Sequence, residues 1–288
     1  MFKGSYVALV TPFNDGNIDE KAFRKLIEFH IDKGTDGLVP CGCTGEAATL
    51  TISEQKRLIK IAVEVCDKRI PVIAGTGSNS TAEAVELTVH AKKAGCDGAL
   101  IITPYYNKPT PEGQYKHYAE IAKNACFPIM LYNVPSRTGI SLLPATVARL
   151  SKIENIVAIK EAAGSVQQVI DIIALSKITV MSGDDSLTLP FMVMGATGVV
   201  SVVANIIPDK VHALTQAALE GKYDEARLIH YEIMNLVQAM FIETNPLPVK
   251  TALNMMGMVR DEWRLPLCEM EKENKIKLKD VLEQYRLV

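Results

Sequence analysis

Ile156-Val157-Ala158-Ile159-Lys160-Glu161 is the stretch whose reading decides the fold. Four apolar residues run without polar alternation, and two charged residues close the run. A strand open to water on one face alternates apolar with polar, whereas a strand covered on both faces, as in parallel sheets, is continuously apolar. Seven further runs have this character: Tyr6–Val10, Gly37–Pro40, Pro71–Ala74, Ala99–Thr103, Pro128–Tyr132, Ile178–Met181 and Gly198–Val202. The segments between them carry helix signals. Phe23, Leu26 and Ile27 repeat at helical spacing within Asp19–Lys33. Thr51-x-x-Glu54 and Ser80-x-x-Glu83 have the form of capping boxes, and Thr110-Pro111 puts proline at a first helical position.

Eight strands, each followed by a helix, predict an α/β protein of the (β/α)8 barrel type over residues 1–221. Residues 222–288 show helical stretches at Asp224–Phe241, Pro248–Met256 and Glu269–Tyr285 and no strand, and are read as a C-terminal helical appendage on the barrel. The 288 residues are 48% hydrophobic and 22% charged, which excludes a disordered or collagen-like chain. A net charge of -2 leaves no global basic field for nucleic acid or an anionic membrane. No apolar stretch reaches the ~18 residues of a membrane helix, and Met1–Phe13 lacks the pattern of a signal peptide, so a cytoplasmic location is expected.

The six cysteines, scattered through apolar surroundings, show no CxxC pair and read mostly as buried thiols. Cys41 and Cys43 would share a face on a strand, but two ligands do not make a zinc site. The five histidines all fall within helical patterns, so no metal or serine-hydrolase site is expected. Gly75-Thr76-Gly77-Ser78-Asn79 has the position of a dinucleotide loop but lacks the third glycine and the distal acid.

In a barrel of this type the chemistry sits where the strands end and the βα loops begin. Four such ends carry polar groups: Gly42-Cys43-Thr44-Gly45-Glu46, Thr103-Pro104-Tyr105-Tyr106-Asn107, Tyr132–Gly139 and Lys160-Glu161. A lysine leaving a buried strand is desolvated toward its neutral form and so prepared to attack a carbonyl; the plainer reading of Lys160 is a structural lysine paired with a barrel carboxylate. Lys250 reads as solvated, at the start of a helix outside the barrel. Tyr132 could shuttle a proton in the same cavity or be a satisfied rim tyrosine. Arg137 suits a substrate carboxylate, and equally a surface salt bridge.

Taken together, these strand ends resemble the dihydrodipicolinate synthase family of the pyruvate-dependent class I aldolase superfamily. The resemblance spans the chain: Gly4–Pro12, Gly42–Glu46, Ala74–Gly77, Pro104–Asn107, Tyr132–Gly139, Ile159–Ala162, Ser182–Asp185, Gly198–Asn205 and Asn245-Pro246-Leu247-Pro248-Val249-Lys250. It implies condensation of pyruvate with L-aspartate 4-semialdehyde, toward diaminopimelate and lysine, with no metal or organic cofactor. Lys160 would form the pyruvate Schiff base, Tyr132 would relay protons, and Thr44 would hold the pyruvate carboxylate. Tyr106 would come from a neighbouring subunit, the Val200 carbonyl would line the site, and Arg137 would take the second carboxylate. A homotetramer, a dimer of dimers, is implied as well. The alternative within the superfamily is N-acetylneuraminate lyase or a sugar-acid aldolase, which typically lack the continuation at Ser136–Gly139; a non-catalytic barrel should have lost the lysine or the tyrosine.

Two departures stand out. Cys43 replaces a threonine whose hydroxyl links the two tyrosines in the family, and a thiol is a weak donor and acceptor. Asn79, Glu83 and Tyr105 match polar residues of a lysine-inhibitor pocket, but Ala47, Ile52 and Gln55 stand where a sensitive relative has serine and two histidines, so weak or absent inhibition is expected.

Overall fold

The structure, a computed structural model, describes residues 2–288. All eight apolar runs are strands: β1 (Gly4–Ala8), β2 (Gly37–Val39), β3 (Ile73–Gly75), β4 (Gly98–Ile102), β5 (Ile129–Asn133), β6 (Ile156–Glu161), β7 (Thr179–Ser182) and β8 (Gly198–Ser201). They pair in parallel in the order β2-β1-β8-β7-β6-β5-β4-β3, and a parallel bridge between Leu38 and Val72 joins the two ends into a barrel.

Because successive side chains of a strand point to opposite faces, the continuous runs feed two cores. Tyr6, Ile73, Leu100, Met130, Tyr132, Ala158, Met181 and Val200 fill the barrel's interior. Val7, Leu38, Ala74, Ile101, Leu131, Ile159 and Val199 pack outward, in the larger core that includes the helices. On β6, Ala158 faces in and Ile159 faces out, so Lys160 faces in.

The barrel helices are α1 (Glu20–Asp32), α2 (Ile52–Cys66), α3 (Thr81–Ala94), α4 (Pro111–Ala125), α5 (Pro144–Leu150), α6 (Val166–Leu175), α7 (Thr188–Val193) and α8 (Pro208–Leu219). α2 starts with the capping box expected at Thr51 and Glu54, and Pro111 opens α4 behind a Thr110 cap. The second expected box does not form. Ser80 makes no side-chain cap, because Ser78 Oγ accepts from the Ser80 N–H at 3.0 Å and itself donates to Glu83 at 2.7 Å.

Beyond Gly221 the chain is helical in α9 (Tyr223–Ala239), α10 (Leu247–Met255) and α11 (Lys272–Gln284). Lys250 corrects the expectation of a solvated side chain. It is fully buried, its Nζ lies 2.6 Å from Glu46 Oε1, and the Phe13 and Trp263 rings flank it at 4.1 and 4.7 Å. Its partner sits 204 residues away, out of reach of any local pattern. The cysteines also divide more evenly than expected: Cys41, Cys66 and Cys96 are buried, Cys43 is half-buried, and Cys126 and Cys268 are exposed.

Candidate active site

Lys160 and Tyr132 are register partners on β6 and β5, so both side chains enter the barrel at the same level. The Lys160 Nζ lies 4.3 Å from the centre of the Tyr132 ring. Space for the lysine is made by Gly183, where an added Cβ would sit 2.8 Å from the Lys160 Cε. Among the described residues no carboxylate forms a salt bridge with Lys160, which removes the plainer reading of a paired structural lysine; Lys250 is the paired one.

Burial lowers the Lys160 pKa from 10.5 to about 8, against the charges of Cys43 and Asp185, which favour the ammonium. At neutral pH a group with that pKa is on the order of one-tenth neutral amine, against roughly one part in three thousand for an unperturbed lysine. Burial also raises the Tyr132 phenol well above its ordinary value, with Cys43 adding to the rise and Arg137 opposing it. The phenol is therefore a proton donor and acceptor that stays protonated at rest.

Beside Tyr132 the loops border a cavity of about 580 Å³, whose wall includes Cys43, Tyr132, Arg137 and Asn245, with Lys160 behind that wall. The loop after β2 turns sharply, with Cys41 and Glu46 at φ 57° and 56°, so Cys41 and Cys43 do not share a strand face. It crosses β3 so closely that a Cβ on Gly75 would lie 2.1 Å from the Cys41 carbonyl oxygen. Thr11 Oγ1 ties the loop down by donating to the Gly45 carbonyl at 2.7 Å. Arg137 projects from a single helical turn, Pro135–Thr138, and its Nη2 donates to the Asn245 carbonyl at 2.9 Å.

The remaining expected residues are placed unevenly. Thr44 is buried and accepts from Asn245 Nδ2 at 3.0 Å, and Val200 is buried on β8; neither is on the cavity wall. Tyr106 is not on the cavity wall either; it is 89% exposed, at φ 68°. Glu83 and Tyr105 share the cavity wall with Ala47, Ile52 and Gln55, whereas Asn79 stands behind it, donating to the Tyr105 carbonyl at 3.3 Å.

Several residues around the site had no role in the sequence reading. Asp185 is buried, and its carboxylate accepts from the N–H groups of Val202 and Val203 at 2.9 and 3.1 Å, fixing the turn that follows β8. Glu161, the residue after Lys160, accepts from Asn133 Nδ2 through both carboxylate oxygens, at 3.1 and 3.0 Å, and Asn133 Oδ1 in turn accepts from the Leu142 N–H at 2.9 Å. The loop carrying Arg137 is thus pinned from beneath. The sequence signal was present in Asn245–Lys250 and Ser182–Asp185 as motifs, but nothing local told what they touch.

A (β/α)8 barrel with an inward, unpaired lysine of lowered basicity at its mouth is the arrangement of an enzyme that works through a lysine amine. Residues 1–285 match the model of the dihydrodipicolinate synthetase family, and the chain belongs to that family. The 4-hydroxy-tetrahydrodipicolinate synthase of Geotalea daltonii is 57% identical over the full length of both chains. The crystal structure of dihydrodipicolinate synthase from Aquifex aeolicus superposes with a TM-score of 0.98 at 51% identity, covering 99% of each chain. The chloride-inhibited dihydrodipicolinate synthase from Acinetobacter baumannii, solved in complex with pyruvate, gives 0.98 at 45% identity over all of both chains.

Proposed function

We propose that this chain condenses pyruvate with L-aspartate 4-semialdehyde to 4-hydroxy-tetrahydrodipicolinate, a step toward diaminopimelate and lysine. The observation that carries the reading is the unpaired, buried Lys160 amine beside Tyr132 in a member of this family. The neutral amine adds to the keto carbon of pyruvate and water leaves, giving the imine. Loss of a methyl proton gives the enamine, whose carbon attacks the aldehyde of the second substrate. The substrate's amine then closes the ring on the imine carbon and releases Lys160. Tyr132 hands protons to and from the departing and arriving oxygens. Thr44 binds the pyruvate carboxylate, the Val200 carbonyl lines that site, and Arg137 binds the second carboxylate. Tyr106, exposed in one chain, is read as serving the site of a second copy within a tetramer, and a monomer in sedimentation at assay concentration would remove that part. Among the described residues no helix is long and apolar enough to cross a membrane, which agrees with a cytoplasmic place for the reaction.

Borohydride with pyruvate tests the central step. Reduction of the imine should add a pyruvate-derived mass at Lys160, and the trapping rate should rise with pH through about 8, where the amine is half neutral, and level off above it. A label on Lys250, or none anywhere, sinks the mechanism.

Cys43 packs against the inner core that holds Tyr132, and a thiol there is a weak member of a proton relay. Cys43→Thr should raise kcat about 3- to 10-fold, part of the 10²- to 10⁴-fold that general acid–base positioning supplies, while the pyruvate KM moves only a few-fold. An unchanged or lower kcat in the folded variant assigns the relay to another group.

For the wall bearing Glu83 and Tyr105 we propose weak or absent feedback by L-lysine. Glu83 already accepts from Ser78, and Ala47 and Ile52 offer no side-chain hydrogen bond. Complete inhibition at submillimolar L-lysine overturns this.

A further inference from the structure

Asn245 touches both groups assigned above to substrate carboxylates. Its Nδ2 donates to Thr44 Oγ1 at 3.0 Å, and its backbone carbonyl accepts from Arg137 Nη2 at 2.9 Å. A threonine hydroxyl has two lone pairs and a single hydrogen. With one lone pair taken by the amide N–H, that hydrogen is directed away from Asn245, toward an acceptor of its own. The Arg137 fork, with one N–H committed to the Asn245 carbonyl, keeps its other donors for a carboxylate in a fixed plane.

The two chain segments that meet here are clamped a second time. Glu46, two residues after Thr44, pairs with Lys250, five residues after Asn245, and both side chains are completely buried. Removing one partner of such a pair leaves a buried charge uncompensated, so the pair resists sliding of one segment past the other. Asn245 itself is 6% exposed, and its Oδ1 is a buried acceptor without a partner among the described residues. Its amide is held by its place in the strap rather than by a hydrogen bond to that oxygen.

We propose that Asn245 is a positioning residue, held in place by the Glu46–Lys250 pair, that sets the Thr44 hydroxyl as a donor to the first substrate's carboxylate and ties it to the Arg137 grip on the second. The proposal rests on the substrate assignments of Thr44 and Arg137 made above. It also explains why a C-terminal strap outside the eight strands carries an invaginated lysine: the lysine fixes the strap on which Asn245 rides.

Asn245→Asp tests it, because the change keeps the volume and the backbone carbonyl but replaces the N–H donor with an acceptor that competes for the Thr44 hydrogen. The pyruvate concentration giving half-maximal borohydride trapping at Lys160 should rise about tenfold, the loss of one buried hydrogen bond. Half-saturation by the semialdehyde should move less than threefold, since the carbonyl still holds Arg137. In a Thr44→Val background the same substitution should change pyruvate half-saturation by less than twofold, a coupling that a general loss of structure would not produce. Unchanged half-saturation in Asn245→Asp, or the full tenfold effect persisting in Thr44→Val, overturns the proposal. Should Asn245→Asp fail to fold, Asn245→Ala is read in the same cycle with the same criteria. An unsubstituted protein that pyruvate and borohydride never trap would defeat the proposed function itself, a result distinct from normal trapping with an indifferent Asn245.

Discussion

Lys160→Met is expected to abolish turnover, by more than about a thousandfold, and at the same time to make the protein more stable. The first effect follows from removing the nucleophile, for which Lys250 cannot substitute, because it is engaged with Glu46. The second follows from the pKa. In the folded barrel Lys160 has a pKa of about 8, below the ordinary 10.5, so the unfolded chain binds its proton more tightly. At pH 7 that difference disfavours folding by roughly 2 to 4 kcal/mol, and it fades as the pH rises from about 8 toward 10.5. Methionine is unbranched, carries no charge, and joins Met130 and Met181 in the inner core. Urea unfolding at pH 7 and pH 10 measures the gain and its disappearance. Turnover within a hundredfold of the unchanged protein would show that Lys160 is not the nucleophile, and a less stable variant would show that its amine is not held against desolvation.

Arg137→Ala should separate the two substrates. Pyruvate trapping at Lys160 should proceed within about threefold of normal, while turnover with aspartate semialdehyde falls by roughly 2 to 5 kcal/mol in transition-state terms, the usual penalty for truncating one member of a desolvated charge pair. The small effect on trapping has a direction. The Arg137 charge helps to lower the Lys160 pKa, so its removal leaves less neutral amine at pH 7 and slows trapping slightly. A trapping defect as large as the turnover defect would place Arg137 at the imine step instead. N-acetylneuraminate or a deoxy sugar acid as the better substrate would mean that the member of the superfamily was chosen wrongly.

The barrel was legible because each strand announces itself locally. A run buried on both faces cannot hide polar residues, so Tyr6–Val10 or Ile178–Met181 could be read without knowing a neighbour. Lys160 was legible for the same reason, as the charge that ends such a run. Its unpaired state was not, since that depends on which carboxylates other strands bring near. Lys250 was misread on the same ground, because the group that takes it from water is Glu46, far upstream. Ser80-x-x-Glu83 failed through competition, in that Ser78 offered Glu83 a closer donor than the expected cap. Asn245 lay in a motif visible by resemblance, but a motif names residues and not the atoms they meet.

The Glu46–Lys250 pair also orders the making of the molecule. Translation proceeds from the amino end, so β8 is complete when about 50 residues remain to be added before Lys250. During that interval Lys250 is not there to pair with Glu46, and enclosing the carboxylate ionised and alone would cost several kcal/mol, so closure of the loop that carries Thr44 is disfavoured. A nascent chain can close its barrel and still lack a working mouth. That mouth is complete only once the tail docks and Lys250 reaches Glu46.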